Sequence, residues 1–211
     1  MRLSKKSRQI SEEESRYINF IAYDALIDFG EKSLPVFPEF DRVIDSTIFI
    51  LPMQTAAKMG GHEEDWYAVG GDGIVMYVSA TGHYIILYDD QLPNPDIRWT
   101  ISKMIYLIKS GTSEDQPNTF CRSDSDDVDK YNTFAYQFTC PDIVLNECDI
   151  SEASDIIKYC KIPFAHANIK SRLLKIAVKI KSLKLLEETL KENFRQYIKL
   201  MSKHKQHYKE M

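Results

Sequence analysis

The sequence predicts an α+β fold that is mostly helical, with a small antiparallel sheet and a long C-terminal helix. Three observations favour this class. Several segments repeat apolar residues every three or four positions, which indicates amphipathic helices. Residues 66 to 89 are rich in β-branched and aromatic residues and are interrupted by glycine turns. After Pro163 the chain has neither glycine nor proline, and a helical apolar pattern continues almost to its end.

Length and composition are those of a globular protein. The 211 residues are 44% hydrophobic and 11% aromatic, and no apolar run is long enough to span a bilayer, so no membrane partner is expected. Residues 1 to 11 are basic and polar, and no apolar segment of signal-peptide length follows them, which predicts a cytoplasmic protein. The four cysteines lack the spacing of a zinc knuckle or a redox motif and are expected to be free thiols.

Charge is divided unevenly along the chain. Residues 170 to 211 contain 12 Lys and Arg against 4 Asp and Glu, whereas residues 1 to 169 contain 15 against 27. A basic tail on an acidic body can bind that body, a nucleic acid or an acidic protein partner, and the sequence leaves these alternatives open.

The first helix is predicted over residues 11 to 29. Ser11 and Glu14 have the spacing of a capping box, and Gly30 ends the helix. The next elements are a short helix over 39 to 44, a strand over 47 to 51 and a second short helix that begins near Pro52.

The middle of the chain is predicted to form an antiparallel meander. Its strands are expected over 67 to 69, 74 to 78 and 84 to 88. The glycines between the first two strands lack the Lys-Ser/Thr ending of a phosphate loop, so they are interpreted as a hairpin turn.

Helices follow the meander. Asn94 and Pro95 begin one that Gly111 ends, and the polar residues 112 to 127 are interpreted as a surface loop. Further helical segments are predicted over 128 to 139, 141 to 145 and 151 to 159.

A single amphipathic helix is then expected to run from about residue 164 through the basic tail. Its apolar stripe comprises Ile169, Leu173, Ile176, Ile180, Leu183, Leu186, Leu190, Phe194, Tyr197 and Met201. Such a stripe packs on the body or on a second copy of the chain, which would make a homo-oligomer. The basic face opposite it could instead bind phosphates of a nucleic acid.

Two motifs at fixed spacing resemble the ImmA/IrrE family of zinc metallopeptidases. The first is Arg98-Trp99-Thr100-Ile101-Ser102, which matches the lead-in to the family's metal-binding helix. The second is Asn132-Thr133-Phe134-Ala135, with Pro141 six residues after the alanine. The resemblance covers about residues 12 to 175. It implies a zincin-like minimal metallopeptidase domain over 1–175 and a basic amphipathic helical extension over 176–211.

The residues that should carry the chemistry are replaced. Active members have His-Glu-x-x-His, in which two histidines bind zinc and the glutamate is the general base, and a downstream carboxylate completes the ligands. The corresponding positions here are Lys103, Met104, Leu107 and Lys130. None of these side chains offers zinc a lone pair of the required kind, so no metal, cofactor or catalytic residue is expected.

Two lysines at a former cation site require neighbouring carboxylates or solvent. The candidates for replacement ion pairs are Asp126, Asp127 and Asp129, which surround Lys130 in sequence. Other potential ligands are less organised. The loop residues His62, Glu63, Glu64 and Asp65 are adjacent to one another, and His83, His166, His204 and His207 have no evident partner.

We therefore expect a catalytically inactive metallopeptidase-like protein that acts by binding. The resemblance implies a protein partner such as a helix-turn-helix repressor or a bacterial or phage defence or regulatory protein. Two alternatives stay open: an active metallopeptidase with non-standard ligands, and a nucleic-acid-binding module that uses the basic C-terminal helix.

Overall fold

The computed structural model describes residues 10–40, 43–44, 46–60, 71–122, 127–176 and 183–209. Within them the chain is mostly helical and has one small sheet, so the α+β class is as predicted. The helices are α1 (Glu12–Asp28), α2 (Met53–Gly60), α3 (Asn94–Lys109), α4 (Val128–Thr139), α5 (Asp142–Glu147), α6 (Ala153–Cys160), α7 (Phe164–Ile176), α8 (Lys184–Asn193) and α9 (Arg195–Lys209). The strands are β1 (Val43–Ile44), β2 (Ile48–Pro52), β3 (Gly73–Val78), β4 (His83–Tyr88) and β5 (Phe120–Arg122).

Helix α1 begins and ends for the reasons that its sequence suggests. The Ser11 hydroxyl accepts a hydrogen bond from the Glu14 amide, and the Glu14 carboxylate accepts one from the Ser11 amide, each at 3.1 Å. This capping box satisfies two amides that a helix start leaves without partners. Gly30, with φ of +69°, turns the chain away at the other end.

The sheet is mixed, and the prediction of a purely antiparallel sheet is wrong. The strand order is β1-β2-β4-β3-β5, and β2 runs parallel to β4, with Ile48 beside Tyr84 and Pro52 beside Tyr88. The other neighbours are antiparallel, including the β3–β4 hairpin. A pattern of β-forming residues predicts a strand but not its partner, and the connection from β2 through α2 is long enough for a crossover.

Two short elements differ from their predictions. The helix expected over 39 to 44 is only a 3₁₀ turn, Pro38–Phe40, after which Val43 and Ile44 pair with β2. Part of the expected loop over 112 to 127 is β5, which pairs with β3 at the sheet edge. Both strands have two or three residues, too few for any periodicity to predict them.

Some predicted features lie outside the described residues. They are the strand over 67 to 69, the acidic loop with His62, Glu63, Glu64 and Asp65, and Asp126.

The core lies between α1, α3, α4 and one face of the sheet. Ala22 and Leu26 of α1, Ile101 of α3, and Phe134 and Phe138 of α4 are all fully buried in one continuous cluster. The apolar faces that the periodicity predicts on α1 and α3 are therefore the buried faces. At about 25 cal/mol per Å² of apolar surface, their burial is the main stabilisation of the fold.

The C-terminal segment is not one long helix. Phe194 interrupts it as a turn between α8 and α9, and residues 177–182 between α7 and α8 lie outside the described residues. Leu190 and Phe194 are fully buried and Met201 is 6% exposed, all in the same core as α1, α3 and α4. A spacing of three and four persists across a one-residue break, so the periodicity did not reveal the interruption.

Candidate functional site

Helix α3 carries Lys103, Met104 and Leu107, three of the four positions that the sequence resemblance aligns with zinc-binding or catalytic residues. Its start is fixed by Arg98 of the lead-in motif, which is 2% exposed. The Arg98 guanidinium forms an ion pair with Glu39 and donates hydrogen bonds to the carbonyls of Cys160 and Lys161 at 3.4 and 2.5 Å. This arginine therefore ties α3 to the end of α6.

Met104 and Leu107 face the protein interior. Met104 is 0% and Leu107 is 1% exposed, and both belong to the hydrophobic core. A glutamate at position 104 could act on water only if water reached it, and packed apolar side chains surround this position instead. Met104 and Leu107 therefore serve packing.

Gly73 brings α3 close to the sheet beside Met104. A Cβ atom added at Gly73 would lie 2.5 Å from Cγ2 of Thr100 and 3.9 Å from Cγ of Met104. Only glycine allows this approach of β3 to the helix. The helix face that holds Met104 is thus pressed against β3.

Trp99 connects the two family-like motifs. Its indole nitrogen donates a hydrogen bond of 3.2 Å to Oδ1 of Asn132 on α4. The same ring stacks on His166 of α7, with centroids 3.8 Å apart and planes 18° from parallel. His166 Nδ1 is hydrogen-bonded to the Tyr136 hydroxyl at 3.1 Å. Sequence reasoning gave His166 no partner, because its partners are distant in sequence.

Lys103 is half-buried near this aromatic cluster. The pKa of His166 lies below its usual value of 6.5, first because of burial and second because of the positive charge of Lys103, while Asp96 acts in the opposite direction. Burial and the neighbouring lysine therefore both disfavour the protonated form of His166.

Lys130 is held by carboxylates on both sides. Its ammonium lies 3.4 Å from Glu14 of α1 and 3.4 Å from Asp127, one of the three aspartates proposed as replacements. Asp129 is half-buried, and its backbone carbonyl accepts a hydrogen bond from Thr133 at 2.7 Å. Glu14 was not foreseen, because it lies far away in sequence. These pairs are partly exposed, which limits each to about 0–1 kcal/mol.

Aromatic rings fill the space between α3 and α4 beyond Lys103. Tyr106 packs edge-on against Tyr131 with centroids 5.3 Å apart and contacts Phe134 at 5.5 Å. Burial, aided by Tyr131 and Asp127, raises the pKa of Tyr106 to about 12, so the phenol stays neutral. Tyr106 therefore offers no ionised phenolate oxygen.

The donor set does not fit zinc. A zinc site needs three protein ligands with available lone pairs, and Leu107 has none. Lys103 and Lys130 carry ammonium groups, and Lys130 is engaged with two carboxylates. Among the described residues, no three His, Cys, Asp or Glu side chains are grouped so that they could hold a metal ion.

A second polar cluster that the sequence did not reveal lies at α7. Lys170 is 1% exposed, and its ammonium lies 2.6 Å from Asp142 and 3.2 Å from the Tyr136 carbonyl. Gln137 donates to the same carboxylate at 2.7 Å and accepts from the Tyr23 hydroxyl at 3.3 Å. Burial alone would raise the pKa of Asp142, but Lys170 and Gln137 lower it overall. The network joins α7 to α4, α5 and α1.

The remaining candidate residues are structural or undescribed. His83 begins β4 and packs edge-on against Phe49 at 5.2 Å. His204 and His207 lie in α9, where their side chains are not described. All four cysteines are free thiols, of which Cys121 is half-buried and the others are buried.

Comparisons of the chain with protein-family models, with curated proteins and with solved structures find no match. Among the described residues, no helix combines the length and the apolar character that crossing a membrane requires.

Proposed function

We propose that this protein is a catalytically inactive, metallopeptidase-like binding protein of the ImmA/IrrE type. The observation that supports this most directly is the burial of Met104 and Leu107 at 0% and 1% exposure. These positions would hold the general base and a zinc ligand in an active relative, and here they pack in the core.

The arrangement of the motif residues is consistent with the family resemblance. The lead-in lies on α3, the second motif lies on α4, and Trp99 and Asn132 join them by a hydrogen bond. In the family that the sequence resembles, a β-meander precedes the metal-binding helix, and here the β3–β4 hairpin precedes α3. A zincin-like arrangement with its metal chemistry removed accounts for these features together.

The partner follows from the resemblance. Active members act on helix-turn-helix repressors of mobile elements and stress genes, so a protein that retains the scaffold without the chemistry would bind such a repressor, or a phage or bacterial defence regulator, and leave it intact. Binding without cleavage then acts by occupying or sequestering the regulator.

The test is an interaction measurement that also reports cleavage. Helix-turn-helix regulators encoded beside this gene are purified and mixed with the full chain, with and without added zinc. Size-exclusion chromatography should give a stable complex, and intact mass spectrometry should recover the regulator at full length. Zinc-dependent fragments of the regulator would contradict the proposal, as would the absence of any complex.

A further inference from the structure

Helix α7 leaves an apolar stripe uncovered. It buries one face through Ala167, Lys170 and Ser171. On another face Ile169, Leu173 and Ile176 are 43%, 46% and 66% exposed. They are spaced at i, i+4 and i+7, so they form one ridge of the helix. The sequence pattern joins this ridge to the tail stripe, whose described members from Leu183 onward are buried or half-buried.

The ridge lies in a strongly basic stretch of the chain. From residue 156 to residue 186 there is no Asp or Glu and there are eight Lys and Arg. Lys170 of this set is buried against Asp142, and Lys175 pairs with Glu152. Lys161 and Arg172 are exposed and make no ion pair with any described residue. A negatively charged partner would compensate the positive charges of these two side chains.

The ridge also borders the degenerate metal site. His166 and Leu173 are seven residues apart on α7 and therefore lie on nearly the same side of the helix. His166 stacks on Trp99 and is close enough to Lys103 for its charge to lower the histidine pKa. A molecule that covers the ridge would thus also lie near His166.

We propose that the Ile169–Leu173–Ile176 ridge docks an acidic amphipathic helix of a protein partner. This inference rests on the proposed function, because it names the surface through which the regulator is bound. The apolar residues would meet the partner's apolar stripe, and Lys161 and Arg172 would meet its carboxylates.

The observations favour a protein helix over the other polyanions. Nucleic-acid backbones are bound by cations and hydrogen-bond donors, whereas the centre of this surface is aliphatic. A membrane surface is bound best by a helix with a broad apolar face and interfacial aromatic residues. Here the opposite face of α7 is packed on the body and the ridge is narrow, which suits the i, i+4, i+7 anchoring of one helix on another.

The experiment measures binding of a fluorescein-labelled synthetic helical peptide that has leucine on one face and glutamate elsewhere. A second peptide carries lysine in place of glutamate. The protein variants are Ile169→Ser with Leu173→Ser, and Arg172→Glu. Matched controls are Leu185→Ser, at an apolar residue 78% exposed on α8, and Lys184→Glu beside it. Thermal unfolding verifies that each variant is folded.

We expect the acidic peptide to bind the wild-type chain and both controls equally, and to bind the ridge variants about tenfold more weakly, which corresponds to the loss of two partly buried aliphatic contacts or of a charge pair. The proposal is overturned if the ridge variants bind the acidic peptide like wild type, or if the lysine peptide binds as well. It is also overturned if only duplex DNA or anionic vesicles bind and the same variants abolish that binding.

The two proposals fail differently. A chain that captures an intact regulator while its ridge variants bind that regulator normally refutes the docking surface alone. A chain that cleaves the regulator refutes the binding function, whatever the peptide does.

Discussion

Trp99 donates a hydrogen bond of 3.2 Å to Asn132, 33 residues away, and its ring stacks on His166. One side chain therefore fixes three helices relative to one another: α3 with the lead-in motif, α4 with the second motif, and α7 with the exposed ridge. The two motifs that resemble the metallopeptidase family are thus joined in space by one side chain.

Replacing Trp99 by Phe should destabilise the chain by about 1–2 kcal/mol, because the partly buried Asn132 oxygen loses its donor. A double-mutant cycle with Asn132→Ala, measured by urea unfolding, separates this bond from the loss of ring contacts. The double variant should be more stable than the sum of the single changes predicts. Strictly additive effects would mean that the hydrogen bond contributes nothing.

Protonation of His166 should destabilise the fold. Its pKa is below 6.5 in the folded chain, so the unfolded state binds the proton more readily. The associated stability is fully present above pH 6.5 and is lost as pH falls from 6.5 through the folded pKa. Urea midpoints between pH 7.5 and pH 5 should fall for wild type and less steeply for His166→Gln. Parallel curves would contradict the prediction.

The Lys170–Asp142 pair should contribute more to stability than the exposed ion pairs do. Lys170→Met leaves the Asp142 carboxylate without its cation. Lys170 is buried but the Asp142 side chain is 38% exposed, so water partly replaces the lost partner and the expected cost is about 1–3 kcal/mol. Lys175→Met is the control, because its pair with Glu152 has both side chains more than half exposed, at 54% and 62%. That change should cost less than about 1 kcal/mol. Equal losses in the two variants would show that burial does not set the strength of the pair.

The C-terminal helices should belong to the folding unit. Phe194→Ala removes a fully buried ring from the common core and should cost about 3–5 kcal/mol. Leu200→Ala, at a position 53% exposed, should change stability by less than about 0.5 kcal/mol. If Phe194→Ala unfolds like wild type in urea, α8 and α9 are an appendage to an independently folded body, which is what the predicted division into 1–175 and 176–211 implies.

The sequence predicted those elements that local chemistry determines. The capping box at Ser11 and Glu14 gave the start of α1, and twelve residues with helical periodicity gave α4 as Val128–Thr139. In each case neighbouring residues carry the whole signal.

The missed features depend on distant residues. The parallel pairing of β2 with β4 depends on which strand comes to lie beside β2. The strand β5 forms because its three residues pair with β3, and three residues cannot encode that choice of partner. Glu14 reaches Lys130, and Lys170 reaches Asp142, only after the helices pack. His166 received no role for the same reason. Ion pairs and aromatic contacts between helices produce no periodic pattern in the sequence.

The zinc content of the purified full chain tests the central claim most directly. Metal analysis after gentle purification and after incubation with excess zinc should find far less than one bound zinc per chain, because Lys103, Leu107 and Lys130 offer no ligand set. Asp127→Asn and Asp129→Asn variants are measured beside the wild type. About one zinc per chain that is lost in either aspartate variant would contradict the hypothesis of an inactive protein that acts only by binding. That result would favour a metallopeptidase with non-standard ligands.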